Sequence, residues 1–305
     1  MVATHSFLDP EVIARLAGLP LDARLPMLGS VSGRHRSPHR GSSLEFAEYR
    51  KYVPGDDTRR IDWRAWGRSD RYYVKEFEAD TNLRLCLVVD TSGSLGYAVD
   101  GQSKLDKMKS IAGTLAYLTS RQGDAVGLYC AGTSCHQEIR PRRNPRHLKV
   151  VLDQLDVMQA EGETGIAKAL HEVAEQVKQR ALVAVVSDLF VDPASLQGAF
   201  QHLRFRKHDT AVFHLLDPTE VEFSFERPTR FVDLEGGAPI MADPSLMAQQ
   251  YRRAMAGYRQ ELQGVVRDAG VDYHQVGLAD PVDEVLAGFL LGRHVKKKRR
   301  GAGRG

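Results

Sequence analysis

The run LRLCLVVDTSGSLG, residues 83–96, ends an apolar stretch on Asp90 and follows it with Ser92, Gly93 and Ser94 in D-x-S-x-S spacing. In a tight turn this spacing lets Asp90, Ser92 and Ser94 face the same way, with Gly93 relieving the crowding between the serines. One carboxylate and two hydroxyl oxygens suit a hard divalent cation, magnesium first, with manganese and calcium as alternatives. Three donors are too few, so an ion there requires further oxygens from other strand ends. Thr164, in EGETGIAKAL just ahead of a helical pattern, and Asp188, in VAVVSDLF at the close of a second apolar run, are the expected additional donors. Alone, D-x-S-x-S also fits ordinary helix capping. The positions of Thr164 and Asp188 favour a metal site.

Residues so far apart converge only on a scaffold that gathers strand ends. From about residue 84 onward, short apolar runs at 84–90, 125–130, 182–188, 210–216 and 271–276 read as strands. Between them, 104–121, 145–155, 166–179, 193–203, 245–268 and 281–291 read as helices. Strands apolar on both faces and separated by helices predict an α/β, doubly wound, mostly parallel sheet. In such a sheet ligands bind beyond the carboxyl ends of the strands, where Asp90 stands. CHQEIRP is a short edge-strand candidate, and TRFVDLEGGAPIMADP reads as a hairpin turning at Gly236 and Gly237.

The first 82 residues differ in character and are expected to form an N-terminal appendage packed on the domain that follows. Trp63, Trp66, Tyr72 and Tyr73 are large enough to anchor it. Asp56 and Asp57 follow a Pro-Gly turn beside Arg59, Arg60 and Arg64, which favours ion pairs over acid–base chemistry. His35 and His39 are four apart, but Pro38 breaks the helix that would turn both toward one ion. No phosphate-binding G-x-x-x-x-G-K loop, G-x-S-x-G elbow or H-E-x-x-H helix occurs. Nucleotide hydrolysis and the common hydrolytic mechanisms therefore lack their parts.

The 305 residues carry a net charge of +3. Lys296, Lys297, Lys298, Arg299, Arg300 and Arg304 supply six of the 42 basic residues, leaving 36 against 39 acidic ones elsewhere. Residues 294–305 are expected to be a disordered basic tail, open to weak contact with anionic lipid or nucleic acid. Cys86, Cys130 and Cys135 show no C-x-x-C spacing and are odd in number, against a disulfide framework. Without a signal-peptide pattern or an apolar run of roughly 18 residues, the expected location is cytoplasmic, with no transmembrane segment.

DTSGS, the loop threonine Thr164 and the strand-end Asp188 resemble the metal-ion-dependent adhesion site of von Willebrand factor A-type domains. That resemblance implies hydroxyl ligation by Ser92, Ser94 and Thr164, with Asp90 and Asp188 binding directly or through water. It also implies an open position that accepts a partner's carboxylate. A second resemblance covers nearly the whole chain: GRHRS, RGSSLEFAEYRKYVPGDDTRRIDWRAWGRSDRYYVKEFEAD and the strand entering DTSGS resemble the bacterial domain of unknown function number fifty-eight. Members of that family are typically associated with MoxR-type AAA+ ATPases. Residues 83–293 would then be the von Willebrand factor A-like domain.

The leading expectation is a non-enzymatic, metal-dependent protein-binding adaptor to a MoxR-type AAA+ ATPase or its client, with no small-molecule substrate. A hydrolase using the same ion as a Lewis acid is the alternative, although no convincing general base stands nearby. A nucleic-acid-associated protein relying on the basic tail is a third class.

Overall fold

The computed structural model describes residues 5–23, 35–36, 45–52, 62–63, 66–67, 72–78, 80–81, 83–132, 138–225 and 227–302. The expected turn with Asp56 and Asp57, the neighbouring Arg59, Arg60 and Arg64, His39 and Cys135 lie outside these residues. The chain divides into two compact units, Leu25–Leu83 and Met1–Arg24 with Arg84–Gly305.

In the smaller unit, strands β1 (Glu45–Lys51) and β2 (Tyr73–Glu78) pair antiparallel, with an irregularity between Phe46 and Glu48. Trp66 stacks on Tyr72 at 6.1 Å, and Trp63 meets Trp66 edge-on at 6.3 Å. These three rings pack on one another and stay substantially exposed, Trp63 by 60%.

The larger unit begins with α1 (Pro10–Leu16), started by Asp9, whose side chain accepts from the Glu11 amide, and by Pro10 at the first helical position. It continues with β3 (Arg84–Asp90), α2 (Lys104–Arg121), β4 (Ala125–Ala131), β5 (Glu138–Arg142), α3 (Pro145–Val157), α4 (Ile166–Gln176) and β6 (Leu182–Ser187). Next come α5 (Pro193–Phe205), β7 (Asp209–Leu215), α6 (Pro218–Glu222), β8 (Thr229–Phe231) and β9 (Ile240–Ala242). It closes with α7 (Pro244–Ala269), β10 (Asp272–Val276) and α8 (Val282–Ala302).

One six-stranded sheet carries the unit, in the order β10-β7-β6-β3-β4-β5. Every neighbouring pair is parallel except β4 with β5, so the expected mostly parallel α/β sheet is what the chain forms. All residues of β6 and β7 are buried, because helices cover both faces. On one face α4, α5 and α7 pack Leu170, Val173, Phe200, Leu203 and Leu262 onto Val88, Val183, Val185 and Val212. On the other lie α1, α2, α3 and α8. Burial of these side chains is the main stabilising term, at about 25 cal/mol per Å² of apolar surface removed from water. The edge strand β5 alternates exposed Glu138, Arg140 and Arg142 with partly buried Ile139 and Pro141, and is bulged where Pro141 crowds Gly127 of β4.

Element boundaries match the sequence expectation to within three residues except at the end of α8. There α8 runs on to Ala302, past residue 294 where the basic tail is expected to begin. Lysine and arginine are good helix formers. Asp283 and Glu284 in the first turn complement the helix dipole. The other departure is at the start: residues 1–24 group with the sheet unit rather than with an appendage. The reason is packing, since Ile13, Leu16 and Leu21 are buried and Arg15 pairs with Asp283 at 2.6 Å. Among the described residues no helix is long and apolar enough to cross a membrane.

Candidate functional site

The sheet places the site through its order. From β3 the chain passes to β4 on one side and later returns to β6 on the other, so strand order reverses at β3. In register, Asp90 faces Ala131 of β4, and Val89 faces Val186 of β6. Three strand ends therefore meet at Asp90, the kind of switch point where α/β sheets bind ligands.

Past Asp90 the chain turns sharply. The Ser92 amide donates to Asp90 Oδ1 at 3.0 Å, and a short 3-10 turn follows over Gly93–Gly96. Ser92 Oγ and Ser94 Oγ lie 2.9 Å apart, so the two serines do face the same way. The loop carrying Thr164 is laced to this turn: the Glu161 amide donates to the Thr91 carbonyl and the Gly93 amide to the Gly162 carbonyl, both at 2.9 Å. Thr164 also forms a bridge with Gly132, beyond the end of β4. A Cβ on Gly132 would collide with the Thr91 hydroxyl, so this close approach needs glycine. Thr164 Oγ1 donates to Asp90 Oδ2 at 3.0 Å and accepts from the Ile166 amide at 3.3 Å, opening α4.

Asp90, Ser92, Ser94 and Thr164 thus form one hydrogen-bonded group. Asp188 stands beside it with a commitment of its own. Its Oδ2 lies 3.1 Å from the ammonium of Lys104, which also reaches Glu220 Oε1 at 2.6 Å. The Lys104 side chain is fully buried between the rings of Phe190, 5.0 Å away, and Tyr97, 5.5 Å away. Leu189, just after Asp188, holds φ of +56°, a left-handed conformation unusual for a residue with a branched side chain.

Sequence reasoning missed three partners. Ser187 Oγ donates to Asp90 Oδ2 at 2.6 Å, and its position immediately before Asp188 was the only clue. Lys104 occupies the first position of α2, where a cation opposes the helix dipole. That misplacement was a readable sign that carboxylates would be near. Glu220 completes a capping box with Asp217, which disguises its second role.

The electrostatics fit a cation. Burial and the nearby Asp188 charge push the Asp90 carboxyl up to about 6, against the opposing hydrogen bonds from Ser187 and Ser92. Burial likewise raises Glu220, with Lys104 pulling it back. Among the described residues no three of His, Cys, Asp and Glu are grouped to hold a metal. An ion here would therefore rely on hydroxyl oxygens together with Asp90, a donor set suited to a hard divalent cation.

A pH prediction follows. With its folded value near 6 and an ordinary value of 3.8, Asp90 contributes stability that is present below pH 3.8 and lost as pH rises through about 6. Burial lowers His208 and His214 to about 4, so they act with the opposite sign in this window. The Asp90 contribution is therefore read as a difference. In EDTA, the stability of the wild-type chain relative to Asp90→Asn falls by on the order of 1–3 kcal/mol between pH 4 and pH 6.5. Denaturant melts at each pH measure this fall, and a difference independent of pH would contradict the burial argument.

Fold and site together define a class: an α/β sheet protein whose strand-end loops collect hydroxyl and carboxylate oxygens at the switch point. The chain belongs to the family described as "Protein of unknown function DUF58", whose model matches residues 48–262. It is 28% identical over 300 residues to "Uncharacterized protein Rv1480" of Mycobacterium tuberculosis, covering 96% of this chain and 92% of that one. Among solved structures it is similar to the conserved hypothetical protein BatB from Bacteroides thetaiotaomicron, with 14% identity, a TM-score of 0.48, and coverage of 70% of this chain and 99% of that chain. It is also similar to the SpRpn10 VWA domain, with 9% identity, a TM-score of 0.41, and coverage of 68% and 94%.

Proposed function

We propose that this chain is a protein-binding adaptor, without chemistry of its own, that uses the Asp90 turn to hold a divalent ion and dock an acidic side chain of a partner. The observation that carries this reading is the direct bonding of Thr164 to Asp90 across 74 residues of chain, beside the paired Ser92 and Ser94 hydroxyls. Asp90, Ser92, Ser94 and Thr164 would hold magnesium, manganese or calcium, with Asp188 acting directly or through water. When bound, a divalent cation supplies a Lewis-acidic position for a carboxylate oxygen. The protein's part is to orient the donors. Ser187 and the Ser92 amide fix the Asp90 carboxylate, and Lys104 fixes Asp188. Neutral hydroxyl donors leave much of the cation's charge unspent, which favours a negatively charged ligand from outside. Family resemblance points to a MoxR-type AAA+ ATPase, or the complex it remodels, as the partner.

The test is capture of such an ATPase by the tagged full-length chain. Adding EDTA, or substituting Asp90→Ala, reduces the captured partner at least about tenfold, in line with losses of metal affinity when a supporting ligand is removed. Capture indifferent to both would take the ion out of the mechanism.

A further inference from the structure

The hairpin of β8 and β9 inverts the usual distribution of side chains. Across residues 232–241, Val232, Leu234, Ile240 and Met241 are exposed by 59%, 48%, 63% and 71%, whereas Glu235 alone is partly buried. The hydrophobic effect by itself would bury Leu234 and leave Glu235 in water. Something at the site holds the carboxylate inward.

The tip meets the D-x-S-x-S turn closely. A Cβ on Gly93 would collide with the Leu234 carbonyl and stand 3.3 Å from the Glu235 amide, so the peptide joining Leu234 to Glu235 lies directly on Gly93. The tip is shaped for this approach: Asp233 Oδ1 accepts from the Glu235 amide at 2.8 Å, and Gly236 follows with φ of +105°. Burial raises the Glu235 carboxyl above its ordinary range, with the hydroxyl and amide of Ser94, which it faces, pulling it back and the charge of Asp188 adding to the rise. Gly93 therefore separates the two serines and also admits the hairpin. Lys104 pairs with Asp188 and Glu220, while Asp90 and Glu235 each sense the charge of Asp188, so the neighbourhood carries more carboxylates than its one ammonium balances.

We propose that Glu235 is the resting occupant of the carboxylate position in this site, and that a partner's acidic side chain enters by displacing the hairpin tip. The inference rests on the ion-dependent reading above. It gives the hairpin a role as a tethered competitor: being intramolecular, a side chain of weak intrinsic affinity can still hold the position at high effective concentration. Displacement would free the Leu234 peptide from Gly93.

Hydrogen–deuterium exchange on the full chain, with magnesium alone as the probe, tests this. In the wild type, magnesium slows exchange at least about tenfold both in residues 91–96 and in residues 232–238. In Glu235→Gln, which preserves size at a partly exposed turn, protection of 91–96 persists and protection of 232–238 is lost. Magnesium affinity falls roughly tenfold in the same variant. Protection of 91–96 without any effect on 232–238, or equal hairpin protection in both chains, would overturn the role of Glu235 and leave the ion site standing. Protection nowhere would overturn the ion-dependent reading and this one with it.

Discussion

Lys104→Met lowers the stability of the metal-free protein by about 3–5 kcal/mol at neutral pH, the usual consequence of removing one partner from a buried ion pair. Methionine keeps most of the apolar stem but removes the ammonium, the group that meets the Phe190 and Tyr97 rings. Asp188, only 1% exposed, and Glu220, 13% exposed, then lose their counter-charge beside a carboxyl that burial already destabilises in ionised form. A divalent ion held as proposed would supply positive charge in the same neighbourhood. The gap between wild type and variant should therefore narrow by about 1 kcal/mol or more when urea melts are repeated in magnesium instead of EDTA. A gap of the same size in both conditions would show that Lys104 stabilises the fold without being coupled to the candidate ion.

The second large effect lies at the other end of the sheet. Arg293 is fully buried on α8, with Nη1 2.7 Å from Asp209 Oδ2 and Nε 3.3 Å from Asp272 Oδ2. Those aspartates open β7 and β10, so one guanidinium ties the last helix to two neighbouring strands, and it also reaches the Asp22 carbonyl at 3.3 Å. Arg293→Met leaves this cluster of buried carboxylates without its shared cation and costs about 3–5 kcal/mol in denaturant melts. Arg293→Lys recovers less than half, because a single ammonium cannot reproduce the planar fork that serves both carboxylates. Below its lowered melting temperature, Arg293→Met would leave the magnesium affinity proposed for the Asp90 turn unchanged, since the cluster lies at the amino ends of the strands and the site at the carboxyl ends. A parallel loss of magnesium affinity at low temperature would contradict that separation.

Much of this arrangement was legible in the residues because it depends on local patterns. Strands buried on both faces reveal themselves as unbroken apolar runs, as in LVAVVS of β6, and the helical runs read from 145 and 193 start where α3 and α5 start, at Pro145 and Pro193. The common facing of Ser92 and Ser94 was legible because it is set within a single turn, and the parallel topology brings Thr164 to the same edge, but its hydrogen bond to Asp90 was not foreseen. What stayed hidden depends on long-range partners. Lys104 meets Asp188 across 84 residues and Glu220 across 116, and nothing in the local sequence of either carboxylate names the lysine. Asp188 shows the limit most clearly: its place at a strand end could be foreseen, but its engagement by Lys104 could not. The end of α8 is hard to read for a different reason: glycine content and the lack of apolar periodicity argue for disorder from residue 294, while the helix runs on past its last described buried contact at Arg293 to Ala302.

The outer margin of the sheet carries a consequence for how this molecule meets others. An unpaired strand ordinarily invites another chain to add to it, yet β5 presents the charged side chains of Glu138, Arg140 and Arg142, a bulge in register and a proline without an amide hydrogen. These are three separate deterrents to templated growth within five residues. Fibre-like stacking through that border is thereby discouraged, and any companion protein must recognise side chains rather than borrow backbone hydrogen bonds there.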